Sequence, residues 1–301
     1  MKDLIFACLL GPGESESEAF RLARSIRTFG GEFCFNPIWM FCQTAENDLP
    51  QATRQELFSL GLRLVTFDVD PAAGNFPFAA YVKAASLAES LSQGETSFLA
   101  FMASDTLVLQ PPYEFRLPTG KILGACPVHL KLLGSGINEP LNDFWNLIYH
   151  HGRVDPGKVF TLQTVVDAQA VRAYINAGLL VVRPERGLLR AWQASFDGQY
   201  LLPEFESFYV QNELYKIFMH QAVLAGSLLS LLKVDEFQPF PAGINYPLHL
   251  HSRMASAHRP ADLSQLITCR YEDYAEFMDN THRAGFIQID RSLREWLTSQ
   301  M

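Results

Sequence analysis

Phe98-Leu99-Ala100-Phe101-Met102-Ala103-Ser104-Asp105-Thr106-Leu107-Val108-Leu109 is an apolar run interrupted by a single short polar turn. A short apolar run that is bounded by a turn is typical of a buried strand. Asp105 would then lie at the carboxyl edge of this strand, where a carboxylate can bind a divalent cation that bridges a diphosphate. From the spacing alone, an aspartate in a surface turn is the simpler interpretation.

The residues before this run alternate between strand-like and helix-like patterns. Strands are predicted at residues 5–10, 33–41, 62–69 and 97–102, and helices at 17–29, 51–60 and 78–91. Such alternation is the pattern of an α/β sheet with crossover helices. The sequence therefore predicts a Rossmann-like N-terminal half with helices on both faces of a sheet.

The regular alternation stops after Pro111-Pro112. Further strands are predicted at residues 121–128 and 174–182, and helices at 144–150, 188–196, 213–232 and 292–297. No internal repeat or low-complexity linker separates the halves. We therefore expect a single domain over residues 1–301, with one half at 1–110, a second half at 111–260 and a C-terminal extension at 261–301.

Composition excludes several classes of protein. The 301 residues are 48% hydrophobic and 19% charged, which favours a folded core over disorder. The net charge of -8 and the lack of a basic cluster argue against binding to nucleic acid. Five cysteines without a Cys-x-x-Cys pair indicate a reducing cytoplasm. No apolar run is long enough for an integral membrane segment, so any membrane association would be peripheral.

The segment Gly11-Pro12-Gly13-Glu14-Ser15 follows the first predicted strand and precedes a helix, where a phosphate-binding loop would lie. It lacks both the Gly-Lys-Ser/Thr ending and the Gly-x-Gly-x-x-Gly pattern. A tight turn before an acidic helix start is the simpler interpretation. A nucleotidyltransferase, which usually carries a Gly-rich basic loop here, is correspondingly disfavoured.

Several segments, in the same order along the chain, resemble those of glycogenin-like glycosyltransferases, a family of GT-A-type nucleotide-diphospho-sugar transferases. The run at 98–109 resembles the strand and Asp-x-Asp turn of that family. The other similar segments are residues 77–89 with Lys83, residues 123–127, Asn176-Ala177-Gly178 with the strand that follows, His220-Gln221 with the helix that follows, and residues 241–247 with Asn245. Together they cover roughly residues 75–250.

The resemblance implies an enzyme that moves a sugar from a nucleoside-diphosphate donor, a UDP-sugar, to a glycan, protein or small-molecule acceptor with retention of configuration. It also implies a divalent cation, Mn²⁺ or Mg²⁺, as cofactor. The residues implied are Asp105 and Gln221 for catalysis; Lys83, Ser104, Asp105, Asn176, Gly178, Gln221 and Asn245 for the donor; and Asp105, His249 and His251 for the metal.

Ordinary structural roles remain open for these residues. Lys83 can be a solvated helix residue, Gln221 a helix cap, and Asn176 and Asn245 turn residues. Gly178 indicates a close approach of the backbone to another group.

Two departures from the family pattern weaken the predicted metal site. Ala103 stands at the first aspartate of Asp-x-Asp, and His220 at the acidic residue before Gln221. Loss of a carboxylate should weaken binding of a cation that prefers oxygen ligands. His249 and His251, which alternate as on one face of a strand, could complete the site. The alternative is a catalytically degenerate GT-A domain that binds a nucleotide or glycan without turnover.

Overall fold

The computed structural model describes residues 3–11, 13–70, 73–74, 76–283 and 285–301; Pro12 of the predicted phosphate loop lies outside these residues. The strands are β1 (Leu4–Leu9), β2 (Ile38–Cys42), β3 (Arg63–Thr66), β4 (Phe98–Met102), β5 (Thr106–Val108), β6 (Leu123–Pro127), β7 (Thr161–Gln163), β8 (Ala170–Arg172), β9 (Ile175–Val182), β10 (Phe237–Pro239), β11 (Tyr246–Pro247) and β12 (Thr268–Arg270). The α-helices are α1 (Glu14–Phe29), α2 (Gln51–Ser59), α3 (Ala79–Ser92), α4 (Asp143–Gly152), α5 (Leu188–Asp197), α6 (Pro203–Gln211), α7 (Glu213–Ile217), α8 (Met219–Leu231), α9 (Tyr274–Asn280) and α10 (Arg291–Ser299).

The main sheet has seven strands in the order β10-β6-β9-β4-β1-β2-β3. The four strands of the N-terminal half, β4-β1-β2-β3, are parallel, as the predicted βαβ alternation requires. β9 runs antiparallel to both of its neighbours, β4 and β6. The first residues of β9 therefore lie beside the carboxyl end of β4, where Asp105 follows.

Two apolar cores cover the two faces of this sheet. Successive side chains of a strand point to opposite faces, so Ile5 and Ala7 of β1 pack in one core while Leu4 and Phe6 pack in the other. Helices α3, α5 and α8 contribute to the first core, and α1 contributes to the second. The prediction of a layered α/β fold with helices on both faces is confirmed.

The C-terminal residues form part of a smaller three-stranded sheet in the order β11-β12-β5. In its antiparallel pair, Arg270 of β12 lies opposite Thr106 of β5. Residues of β5, β11, β12, α9 and α10 share a third core. The segment 261–301 is therefore packed against the turn that contains Asp105, which the sequence did not predict.

Three local predictions were wrong. The strand predicted at 33–41 begins only at Ile38, because Gly31–Phe35 forms a 3-10 helix whose first residue, Gly31, has a positive φ. The helix predicted at 213–232 is divided at Phe218. Leu248–Arg253 is a 3-10 helix rather than a strand, so His249 and His251 do not share one face.

None of the helices in the part of the chain that the structure describes has the length and apolar character that a membrane span requires.

Candidate active site

A cavity of about 400 Å³ opens where β4 ends and β9 begins. Ligands of open α/β sheets bind at the carboxyl edge of the strands, and the volume is suited to a small molecule. Four of the predicted site residues line it: Asn176, Gly178, Gln221 and His249. The residues that the sequence did not predict for the lining include His129, Arg270, Glu272, Tyr81, Tyr174 and Phe78.

Asp105 does not face the cavity directly but forms an ion pair with Arg270, which does. The guanidinium nitrogen Nε of Arg270 donates to Oδ1 of Asp105 at 2.9 Å, and Nη2 donates to Oδ2 at 2.7 Å. Such a two-point pair fixes the plane of the guanidinium as well as its position. Asp105 is only 7% exposed, so this is a largely buried ion pair.

The backbone holds both partners of this pair. The amide of Tyr271 donates to the carbonyl of Asp105 at 3.1 Å, directly beside the β5–β12 pairing. Burial lowers the pKa of Arg270, but the charge and hydrogen bonds of Asp105, together with Tyr81 and Glu272, more than offset this effect, so the pKa is raised. The guanidinium therefore stays charged, and a fixed positive charge lies in the cavity wall.

The residues present do not fit a divalent cation at Asp105. Both carboxylate oxygens already accept hydrogen bonds from Arg270, and Ala103 offers no ligand atom. His249 lies 3.5 Å from Glu272, measured from Nε2 to Oε2, and His251 is bound to the hydroxyl of Tyr246. Within the described ranges, no group of three or more His, Cys, Asp or Glu side chains is placed to hold a metal ion. The predicted metal site is therefore not shown.

An amide network forms the part of the cavity wall beside the guanidinium. Oδ1 of Asn176 accepts from the amide of Gly178 at 2.8 Å and from Nδ2 of Asn245 at 3.2 Å. Asn245, which is buried and has positive φ, donates its own backbone amide to Oγ1 of Thr268 at 2.7 Å. Asn245 thus orients Asn176 from behind, and Asn176 faces the cavity.

Gly178 is required by the close approach of two side chains. A Cβ atom at this position would lie 2.8 Å from Nη1 of Arg270 and 2.8 Å from Oδ1 of Asn176. Both neighbours are held by hydrogen bonds to other groups, so neither can move away freely. The glycine lets the guanidinium and the amide lie side by side.

Gln221 connects α8 to β9 instead of capping its own helix. Its Oε1 accepts from the backbone amide of Ala177 at 3.0 Å, while the hydroxyl of Tyr81 donates to the carbonyl of Ala177 at 2.7 Å. The pairing of β9 with β6 shifts register near this point. Side chains therefore complete the hydrogen bonding of the strand where it lines the cavity.

Buried histidines around the cavity are neutral. Burial lowers the pKa of His129 to about 3 and that of His220 to about 3. Nδ1 of His220 donates to the carbonyl of Ile217 at 2.9 Å, and Nε2 of His129 donates to the carbonyl of Asn245 at 3.2 Å. Each imidazole therefore keeps one unprotonated nitrogen. Burial also lowers the pKa of His249, against the opposing effect of Glu272.

Besides Asp105 and Asn245, three further predicted site residues lie outside the cavity lining. Ser104 donates to Oε2 of Glu18 at 2.8 Å. His251 is buried against Tyr246, with 2.8 Å between Nδ1 and the hydroxyl oxygen. Lys83 lies on α3, two residues beyond Tyr81, which lines the cavity.

Strained backbone is concentrated at this cavity. Phe78, Leu132 and Glu272 have positive φ and line it, and Asn245 has positive φ beside it. A bulky residue with positive φ is rare and persists where the surrounding structure holds it in place. The ring of Phe78 stacks on His220 with 4.1 Å between centroids. Such strain supports the assignment of this cavity as the functional site.

A mixed sheet with a Rossmann-like half, and a cavity at the carboxyl edge of its central strands, defines a GT-A-type nucleotide-sugar transferase fold. The family profile described as the Rhodobacterales glycosyltransferase domain matches residues 6–198. The chain belongs to this family, and the prediction of a glycosyltransferase enzyme is confirmed at that level. No curated protein matches the sequence.

Two solved structures with TM-scores above 0.5 agree on the fold. GlyE of Streptococcus pneumoniae has a TM-score of 0.53 and 13% identity, over 100% of this chain and 60% of that one. The bifunctional glycosyltransferase WbbM has a TM-score of 0.51 and 11% identity, over 100% of this chain and 51% of that one. This chain thus spans about half of the length of WbbM. The galactosyltransferase LgtC, with donor and acceptor sugar analogues, has a TM-score of 0.47 and 16% identity, over 99% and 94% of the two chains.

Proposed function

We propose that this chain transfers a sugar from a nucleoside-diphosphate donor, a UDP-sugar, to a glycan, protein or small-molecule acceptor, with retention of configuration. Residues 1–110 would bind the nucleotide and residues 111–260 the sugar and the acceptor. The observation that carries the proposal is the cavity at the edge of the sheet, which is lined by a fixed guanidinium and by the amide side chains of Asn176 and Gln221.

The chemistry of the reaction suits this lining. The diphosphate gains negative charge as its bond to the sugar breaks, and a positive charge held in place stabilises that transition state. Arg270 supplies this charge, and Asp105 holds Arg270 in position. Asn176 and Gln221 would bind hydroxyl groups of the sugar, because amides both donate and accept hydrogen bonds.

Other residues act on the donor less directly in this proposal. Asn245 would act through Asn176, to which it donates a hydrogen bond. Gly178 would keep the space between Asn176 and Arg270 open. The contacts of Lys83 and Ser104 with the donor stay predictions.

Thermal unfolding with a panel of nucleotide sugars tests the proposal. A ligand that binds only the folded state stabilises it by mass action, by about 2.7 kcal/mol at a hundred times its dissociation constant. We expect one UDP-sugar to raise the midpoint of unfolding, and UDP to be released from it when an acceptor is present. Binding without release of UDP would instead indicate the alternative function, a catalytically degenerate GT-A domain that binds the nucleotide without turnover.

Two glycine variants sharpen this test. Gly178→Ala places a methyl group against Arg270 and Asn176, so we expect it to abolish the stabilisation by the donor. Gly198→Ala adds a methyl group at an exposed site with ordinary contacts and should keep that stabilisation. If no nucleotide sugar stabilises the parent protein, or if both variants respond alike, the cavity is not the donor site.

A further inference from the structure

We propose that Arg270 takes the place of the divalent cation, so that this enzyme binds the diphosphate of its donor without a metal ion. The inference rests on the proposed function and deepens it. It starts from the disagreement between the metal site that the family resemblance implies and the side chains that the structure brings together.

The oxygen atoms of Asp105 are not free to bind a cation. A divalent cation of the Mg²⁺ type needs several oxygen ligands at short distance. Both oxygens of Asp105 are occupied by Arg270, at 2.9 and 2.7 Å, and position 103 is an alanine. A cation could bind only by displacing a buried guanidinium from its carboxylate, which would leave that positive charge unpaired beside the new one.

One nitrogen of the Arg270 guanidinium remains available to bind an anion. Nε and Nη2 bind Asp105, whereas Nη1 has no hydrogen-bond partner among the described residues. Nη1 lies against Gly178, where a Cβ atom would come within 2.8 Å of it and the lack of a side chain makes room for the guanidinium. The carboxylate therefore orients the guanidinium so that one nitrogen with two N–H groups is left for an anion in the cavity.

Few of the side chains described around the cavity carry a charge. Among the lining residues that the structure describes, Arg270 and Glu272 carry formal charges, and His129 and His220 are held neutral by burial. The carboxylate of Glu272 is largely exposed and lies 3.5 Å from Nε2 of His249. Arg270 is consequently the fixed positive charge that a diphosphate would meet at this wall.

Calorimetric titration of the full chain with UDP tests the inference, first with EDTA and then with MnCl₂ in place of EDTA. We expect measurable binding in EDTA and a dissociation constant that Mn²⁺ changes by less than about twofold. Arg270→Ala should weaken the binding of UDP by about 10- to 100-fold, the range for a hydrogen bond to a charged group. Arg186→Ala, which removes a surface guanidinium paired with Glu236, should leave UDP binding unchanged.

A double variant tests the exchange of cation directly. Arg270→Ala frees the oxygens of Asp105, and Ala103→Asp restores the second carboxylate of the family pattern. We expect the pair of substitutions to make UDP binding dependent on Mn²⁺, whereas Ala103→Asp alone should not, because Arg270 still occupies Asp105. Arg270→Lys, which keeps a charge, and thermal unfolding of each variant distinguish lost binding from lost folding.

The outcomes separate this inference from the proposed function. Binding of UDP in the parent protein that appears only with Mn²⁺ would overturn the role of Arg270 and leave the proposed function standing. Binding in neither condition would overturn both. Binding in EDTA that Arg270→Ala leaves unchanged in a folded variant would also overturn the inference.

Discussion

Asp105→Ala is expected to lower the free energy of unfolding by about 3 kcal/mol or more, because it leaves the guanidinium of Arg270 buried without its partner. Removal of one member of a buried ion pair costs about 3 to 5 kcal/mol. The side chain of Asp105 is 10% exposed and that of Arg270 is 23% exposed, so water replaces the lost carboxylate only in part. Chemical denaturation at pH 7 measures the change.

Two further variants identify the ion pair as the cause. Replacing both partners with apolar residues, as in Asp105→Ala with Arg270→Leu, removes the unpaired charge and should recover much of the lost stability. Asp197→Ala removes an exposed aspartate and should change the stability by less than about 0.5 kcal/mol. A loss in the double variant equal to the sum of the two single losses would show that the pair is not coupled.

Mild acid is expected to destabilise the protein between pH 7 and pH 5 through His129 and His220. The pKa of each is about 3 in the folded state, against about 6.5 when unfolded. Below pH 6.5 the unfolded chain binds protons that the folded chain does not, so stability is complete above that pH and falls as the pH decreases. Each histidine accounts for roughly 2 kcal/mol by pH 5.

Variants isolate the histidine contribution. His220→Gln should remove roughly 2 kcal/mol of the loss between pH 7 and pH 5, whereas His282→Gln, at an exposed position, should leave the loss unchanged. The comparison is necessary because burial raises the pKa of Glu89, which acts in the opposite direction. Equal pH dependence in the parent protein and in His220→Gln would contradict the assignment.

The sequence predicted those parts of the fold and site that depend on local pattern. The apolar run at 98–102 and the turn after it place Asp105 at the carboxyl edge of β4. The Asn-Ala-Gly pattern at 176–178 and Gln221 meet at one cavity, as their order along a GT-A chain implies. These features follow from residues that are close in sequence or from the ends of predicted strands.

The parts that the sequence did not predict depend on contacts between distant residues. Arg270 lies 165 positions beyond Asp105, and only the antiparallel pairing of β12 with β5 brings the two together. A single basic residue at the end of a three-residue strand gives no local signal of this partner. The spacing of His249 and His251 suggested a strand, but this segment continues as a 3-10 helix after the short β11.

Hydrogen exchange of the backbone amides, measured with and without UDP, locates the donor directly. The amides of Ala177 and Gly178, which are bonded to Gln221 and Asn176, should exchange more slowly when UDP is bound, together with those of residues 268–272. Slower exchange confined to other parts of the chain, with these segments unchanged by saturating UDP, would contradict the assignment of the cavity as the nucleotide-sugar site.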